Sequence, residues 1–149
     1  MKTCEVKIVR AFLGCYRRYK ELAQLKDEEA LKLGEYYETA AGPKTIRYDR
    51  VPGSRSGSGS DSRLIEILSD QMDAGRKAAE YREKTRQIEA FIRSIDDPRR
   101  DYLERAYLKG ESFRDIAAAE HMDFGAVSHS IDRLLRSVPS SLAESSGLL

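Results

Sequence analysis

Apolar positions recur at alternating spacings of three and four along two long stretches of the chain. The series Val9, Phe12, Tyr16, Tyr19, Ala23, Lys26, Ala30, Leu33, Tyr37 and Ala40 holds nine apolar or aromatic side chains in ten positions. The series Leu64, Ile67, Gln71, Ala74, Ala78, Tyr81, Thr85, Ile88, Ile92 and Ile95 holds eight, with Gln71 and Thr85 the exceptions. This is the heptad period, which keeps one stripe of a helix against a neighbouring helix. It predicts helices over residues 1–40 and 63–95. Gly14 and Gly34 each weaken the first helix by about 1 kcal/mol relative to Ala, so bends are expected there. Lys32 with Glu28 and Glu35 suits surface pairs, which add little beside the buried stripe.

Between the two stripes, Gly42-Pro43 ends the first helix and the pattern changes. Ile46, Tyr48 and Val51 alternate as a short strand does, but a lone strand has no partner, so an extended loop is expected. The stretch 54–62 is rich in Gly and Ser, and residues 41–62 are expected to form a flexible linker carrying the bases Lys44, Arg47, Arg50 and Arg55. Two stripes of similar length joined by such a loop suit an antiparallel coiled-coil-like pair. The same stripes suit pairing between two chains, so a homodimer through the long helices stays open.

Beyond Asp96-Asp97-Pro98 three shorter helical patterns follow, and residues 96–137 are expected to form a trihelical head. Pro98 suits a first turn capped by Asp97. Tyr102, Leu103, Ala106 and Tyr107 share the inner face of a helix over 98–108, which Lys109-Gly110 closes. Ser112 caps a helix in which Phe113, Ile116 and Ala117 share a face, with Asp115 in its first turn. A tight turn through His121-Met122 leads to a third helix with Asp123 as N-cap and Val127, Ile131 and Leu134 facing inward. Two short capped helices with small residues at Ala117, Ala118 and Ala119 form the pattern of a DNA-binding helix-turn-helix. Its turn needs a positive φ, usually supplied by Gly, and here the position is His121. The tail 138–149 has no periodicity, and disorder is expected there.

Composition narrows the function classes. The chain has 149 residues and net charge +1; no apolar run is long enough for a membrane span, the charged N-terminus is unlike a signal peptide, and a cytoplasmic location is expected. Cys4 and Cys15 on one helix lie about 16 Å apart along its axis, too far for a disulfide, so both are expected as reduced thiols. With His121 and His129 the only histidines, no metal-ligand spacing exists, and no cofactor is expected. A nucleophile–base arrangement and a phosphate-binding Gly loop are both missing, so the chain is not expected to be an enzyme. Residues 96–149 carry seven bases and ten acids, an acidic balance that argues against tight DNA binding by that segment alone.

The stretch IDDPRRDYLERAYLKGESFRDIAAAEHMDFGAVSHSIDRLL resembles region 4 of sigma-70-type factors, the part that reads an upstream promoter element. With the paired long helices and the GSRSGSGSD linker, the whole is similar to phage- and prophage-encoded transcription regulators of the RinA and ArpU-like late-gene activator type. The resemblance implies double-stranded DNA as a partner, with bacterial RNA polymerase as a second. Phe124-Gly125-Ala126 departs from it, lacking the polar residues that often touch DNA at that point.

Helix geometry puts Gly125, Ser128, His129, Asp132, Arg133 and Arg136 on the outward face of the last helix. Ser128 and His129 are best placed for base edges, and Arg133 and Arg136 for phosphate. Arg114 on the preceding helix, with Arg99, Arg100 and Lys109, suits backbone contacts. Asp123 and Asp132 would repel phosphate, and His129 with Asp132 suits a local salt contact. Two functions therefore stand: a sequence-specific DNA-binding transcription regulator, and a protein-interaction adaptor binding RNA polymerase or another phage component.

Overall fold

The computed structural model describes residues 1–41 and 58–149, and within them every regular element is helical. The helices are α1 (Thr3–Gly14), α2 (Tyr16–Ala41), α3 (Ser58–Ser94), α4 (Arg100–Leu103) running into a π-helical turn (Glu104–Leu108), α5 (Phe113–Ala119), α6 (Phe124–Ser137) and α7 (Ser140–Ser145). The all-α class is thus as the pattern predicts. The loop expected around Ile46, Tyr48 and Val51, and the bases Lys44, Arg47, Arg50 and Arg55, lie outside the described residues.

The bend expected at Gly34 is absent from the continuous α2, the one expected at Gly14 is present, and two boundaries differ from expectation. The first long helix is broken at Cys15, next to Gly14, where the Cys15 N–H reaches back to the Phe12 carbonyl at 3.1 Å. The helix tightens there by one residue and continues as α2. Of the two boundaries, α3 starts at Ser58, inside the stretch expected to be linker. Finally, the tail is not disordered. Pro139 takes the N-cap position of α7, and Gly147, at φ 74°, ends it. The Leu148 N–H donates to the Ala143 carbonyl at 2.9 Å and that of Gly147 to Glu144 at 3.0 Å, the paired bonds of a glycine helix stop. Ala143 and Leu148 are buried.

The chain divides into two compact units. One comprises Met1–Glu21 with Tyr81–Leu149. Its core joins Val6, Val9, Leu13 and Tyr16 to Ile88, Phe91 and Ile92 of α3 and Ile95 just beyond it, to Leu103, to Ile116 and Ala117 of α5, and to Val127, Ile131, Leu134 and Leu135 of α6. Each large apolar side chain so enclosed contributes about 1.5–3 kcal/mol. The heptad positions at the end of α3 are all internal, and the polar exception Thr85 is buried with its hydroxyl donating to the Arg82 carbonyl at 2.7 Å. Phe91, off the stripe, is also fully buried because the surrounding helices enclose this end of α3 on more than one side.

The other unit is Leu22–Glu80. Here Tyr36 of α2 accepts a hydrogen bond from Arg63 at 2.7 Å, and a side chain on Gly34 would stand 2.7 Å from the Gln71 amide. Lys26 and Glu29 border the same cleft as Asp73 and Lys77. Positions rise along α2 as they fall along α3, so the two segments run antiparallel. Ala23, Ile67, Ala74 and Ala78, all predicted stripe positions, are buried.

Candidate nucleic-acid interface

The α5–α6 pair is built from local signals that agree with each other. Ser112 accepts the Asp115 N–H on its hydroxyl oxygen at 3.1 Å and donates to the Asp115 carboxylate at 2.7 Å, satisfying an N–H that the helix leaves free. At the other end His121 adopts φ 53°. Its N–H reaches the Ala118 carbonyl at 3.4 Å, and the Met122 N–H reaches Ala117 at 2.8 Å. A left-handed residue with these two bonds is the usual glycine stop of a helix, made here by histidine. Asp123 is the N-cap of α6, but its side chain makes no capping bond. Val127, Ile131 and Leu134 face the core as predicted, together with Leu135.

Arg114, Gly125, His129, Arg133 and Arg136 are exposed. At 100° per residue, Gly125, His129, Arg133 and Arg136 fall along the face of α6 opposite its buried stripe. The structure therefore groups these four. Ser128 and Asp132 belong to the flank instead, and both are half-buried. Arg10 of α1 reaches them: its guanidinium lies 2.7 Å from the Asp132 carboxylate and 3.4–3.5 Å from the Ser128 hydroxyl, and donates to the Tyr107 hydroxyl at 3.3 Å. The Asp132 charge is neutralised by Arg10 and not by His129. Ser128 is engaged at the α1–α6 contact rather than free for base edges.

The other bases expected to support the interface divide. Asp97 holds Arg99 through both carboxylate oxygens and the Arg99 backbone N–H, which draws the Asp97 pKa down to about 2. Arg100 pairs with Glu104 at 3.0 Å. Lys109 is exposed.

Two residues of the surface had no place in the sequence pattern. Arg10 sits far away in sequence, on a helix expected to belong to the long pair. Phe124, at the first position of α6, is 56% exposed, with the Phe113 ring 6.5 Å away and Arg114 over its face at 6.0 Å. Its sequence signal is an apolar residue at the mouth of the helix, where the resemblance leads one to expect polar ones. The fold also alters the charge picture. Residues 96–149 are net −3, but the unit they belong to includes α1 and holds seventeen bases and fourteen acids, net +3.

Cys4 and Cys15 are free thiols, the first exposed. No described helix is long and apolar enough to cross a membrane. Comparison of the chain with family models, curated proteins and solved structures returned no match.

Proposed function

We propose that this chain is a sequence-specific regulator of transcription that binds double-stranded DNA, with α5 and α6 acting as a helix-turn-helix in a region 4-like head. One observation carries the proposal. The α5–α6 turn takes a left-handed residue at His121, and the helix after it presents Gly125, His129, Arg133 and Arg136 on one open face. A helix so presented fits the major groove, with His129 near base edges and the arginines near phosphates. Arg114 at the start of α5 adds a backbone contact, and Phe124 offers an apolar surface of the kind that meets a thymine methyl. Arg10 supports the face indirectly, by removing the repulsion that Asp132 would exert on phosphate. In this proposal the α2–α3 segments act as a coiled-coil-like arm that carries the head.

The adaptor alternative drew its support from the acidity of residues 96–149. That support is smaller once α1 is counted with them, because the folded unit is net +3.

Fluorescence anisotropy of the purified chain with a duplex from upstream of its neighbouring genes, and with a random duplex, tests the proposal at two salt concentrations. Preferential, salt-sensitive binding is expected. Replacing His129 and Arg133 together by Ala should weaken it at least tenfold with the helical circular dichroism unchanged, since a base contact contributes about 1–3 kcal/mol and the lost phosphate contact adds to that. Binding indifferent to sequence and to this double change would reject the proposed face, and a pull-down with RNA polymerase would then be the decisive experiment.

A further inference from the structure

Arg17 stands at the start of α2, outside the helices assigned to the interface, and its charge is unanswered. The side chain is exposed, and its guanidinium makes no hydrogen bond or ion pair among the described residues. Neighbouring arginines are held. Arg18 pairs with Glu21 at 3.9 Å, and Arg10, Arg99 and Arg105 each have a carboxylate at 2.7–2.9 Å. Arg114, Arg133 and Arg136, the three arginines that the proposed face presents, share the condition of Arg17 and have no carboxylate partner among the described residues.

The place of Arg17 in the fold gives this charge a direction. Its side chain lies on the loop between the π-helical turn and α5, where a Cβ on Gly110 would stand 2.5 Å from the Arg17 Nη1 and 3.0 Å from its Cδ. Gly110 closely precedes Ser112, the N-cap of α5. At that same end of α5, Arg114 sits over the Phe124 ring at 6.0 Å, and Phe124 opens α6. Arg10, earlier on the same side of the unit, sits over Phe113 at 5.9 Å. These contacts form one path from Arg17, across the start of α5, to the mouth of the reading helix.

We infer that the DNA-contacting surface extends onto α2, with Arg17 bound to a backbone phosphate beside the start of α5. The inference rests on the DNA-binding reading of α5 and α6, and adds to it a contact that carries no sequence information. When the second helix of a helix-turn-helix lies in the major groove, the first crosses the phosphate backbone, so cations gathered at its start meet phosphates. A guanidinium with no carboxylate to give up reaches a phosphate without first breaking an ion pair, and its planar fork matches two phosphate oxygens.

Fluorescence anisotropy of the full chain with the upstream duplex and with a random duplex, over a series of salt concentrations, tests the inference. Arg17→Gln should lower the affinity for both duplexes by the same factor, about three- to tenfold near 0.1 M salt, and reduce the slope of log affinity against log salt by about one. Arg17→Lys keeps the charge and should keep the slope. Arg18→Gln, exposed and already paired with Glu21, should leave the slope unchanged. Affinity and slope in Arg17→Gln equal to those of the native chain overturn the inference and leave the helix-turn-helix reading standing. So does a loss confined to the upstream duplex, or a loss that Arg17→Lys fails to recover. A chain that binds neither duplex removes both readings.

Discussion

His121 has the one positive φ at a non-glycine residue among the described residues. An L-residue in that conformation costs about 1–2 kcal/mol, of which the greater chain entropy of glycine would return roughly half. His121→Gly is therefore expected to raise the stability by about 0.5–1 kcal/mol in urea denaturation. His121→Val, β-branched and intolerant of positive φ, should lower it by about 1–3 kcal/mol. Equal stability of all three would mean the turn is not held left-handed in solution. At this scale the turn was legible, because the offset from the Ser112 cap and the Asp123 N-cap fixes where the chain must reverse. The partner of Asp132 was not legible, since nothing in the sequence around α6 points to Arg10. The Asp97 carboxylate gives a prediction in acid. Its pKa falls from 3.8 to about 2 on folding, chiefly through the Arg99 side chain, so its contribution is complete above about 4 and is lost as pH falls through 2. The stability gap between the native chain and Asp97→Asn should be present at neutral pH and close over that window. A gap that widened in acid would exclude the linkage.

The helices vary in how far their own residues specify them. α6 was specified in large part: cap position and buried stripe follow from a 3.6-residue period over 14 residues, whereas Ser128 and Asp132, expected on the outward face, are half-buried beside Arg10. α7 was not, because six residues are too few for a period to show. Its signals were punctuation only: Pro139 before it, Gly147 after it, and apolar Leu142, Ala143 and Leu148 between serines. Those serines and the proline were the features that suggested disorder. Removing residues 140–149 tests whether α7 belongs to the fold. Leu148 and Ala143 leave the core in that truncation, and the loss from Leu148 alone is about 1.5–3 kcal/mol. A clear fall in the thermal midpoint is expected; an unchanged midpoint would show that α7 contributes nothing to the unit. In the long helices, the heptad sampling found most of the buried positions, including Val9, Tyr16, Ala23, Ile67 and Ala78.

At the scale of the whole molecule, the sequence order misleads about what belongs together. Residues 96–149 look like a self-contained head appended to a helical pair, yet α1 and the end of α3 complete their core. The Met1 amino group donates to the carbonyls of Arg136 and Val138 at 2.9 and 2.8 Å. It meets the negative end of the α6 dipole, where a cation is favourable. Tyr16, buried and donating to Glu89 at 2.6 Å, has its pKa raised to about 12 by that burial and that bond. It ties the start of α2 to α3 within the same unit. A fragment of residues 96–149 should therefore not fold cooperatively, as it lacks Val6, Val9, Leu13, Tyr16, Ile88, Phe91 and Ile92 against its exposed helix faces. Circular dichroism on urea titration should show a broad, weak transition in place of a sharp one, and a sharp one would contradict the shared core. Arg10 extends the dependence to the proposed interface. If the proposed face binds DNA, Arg10→Met, which removes one positive charge and frees the Asp132 carboxylate beside it, should lower the affinity by about three- to tenfold, more than Lys109→Met on the exposed surface. Adding Asp132→Asn to Arg10→Met should recover most of that loss if the effect is electrostatic. Failure to recover, with the fold intact, would instead mean that Arg10 touches DNA itself.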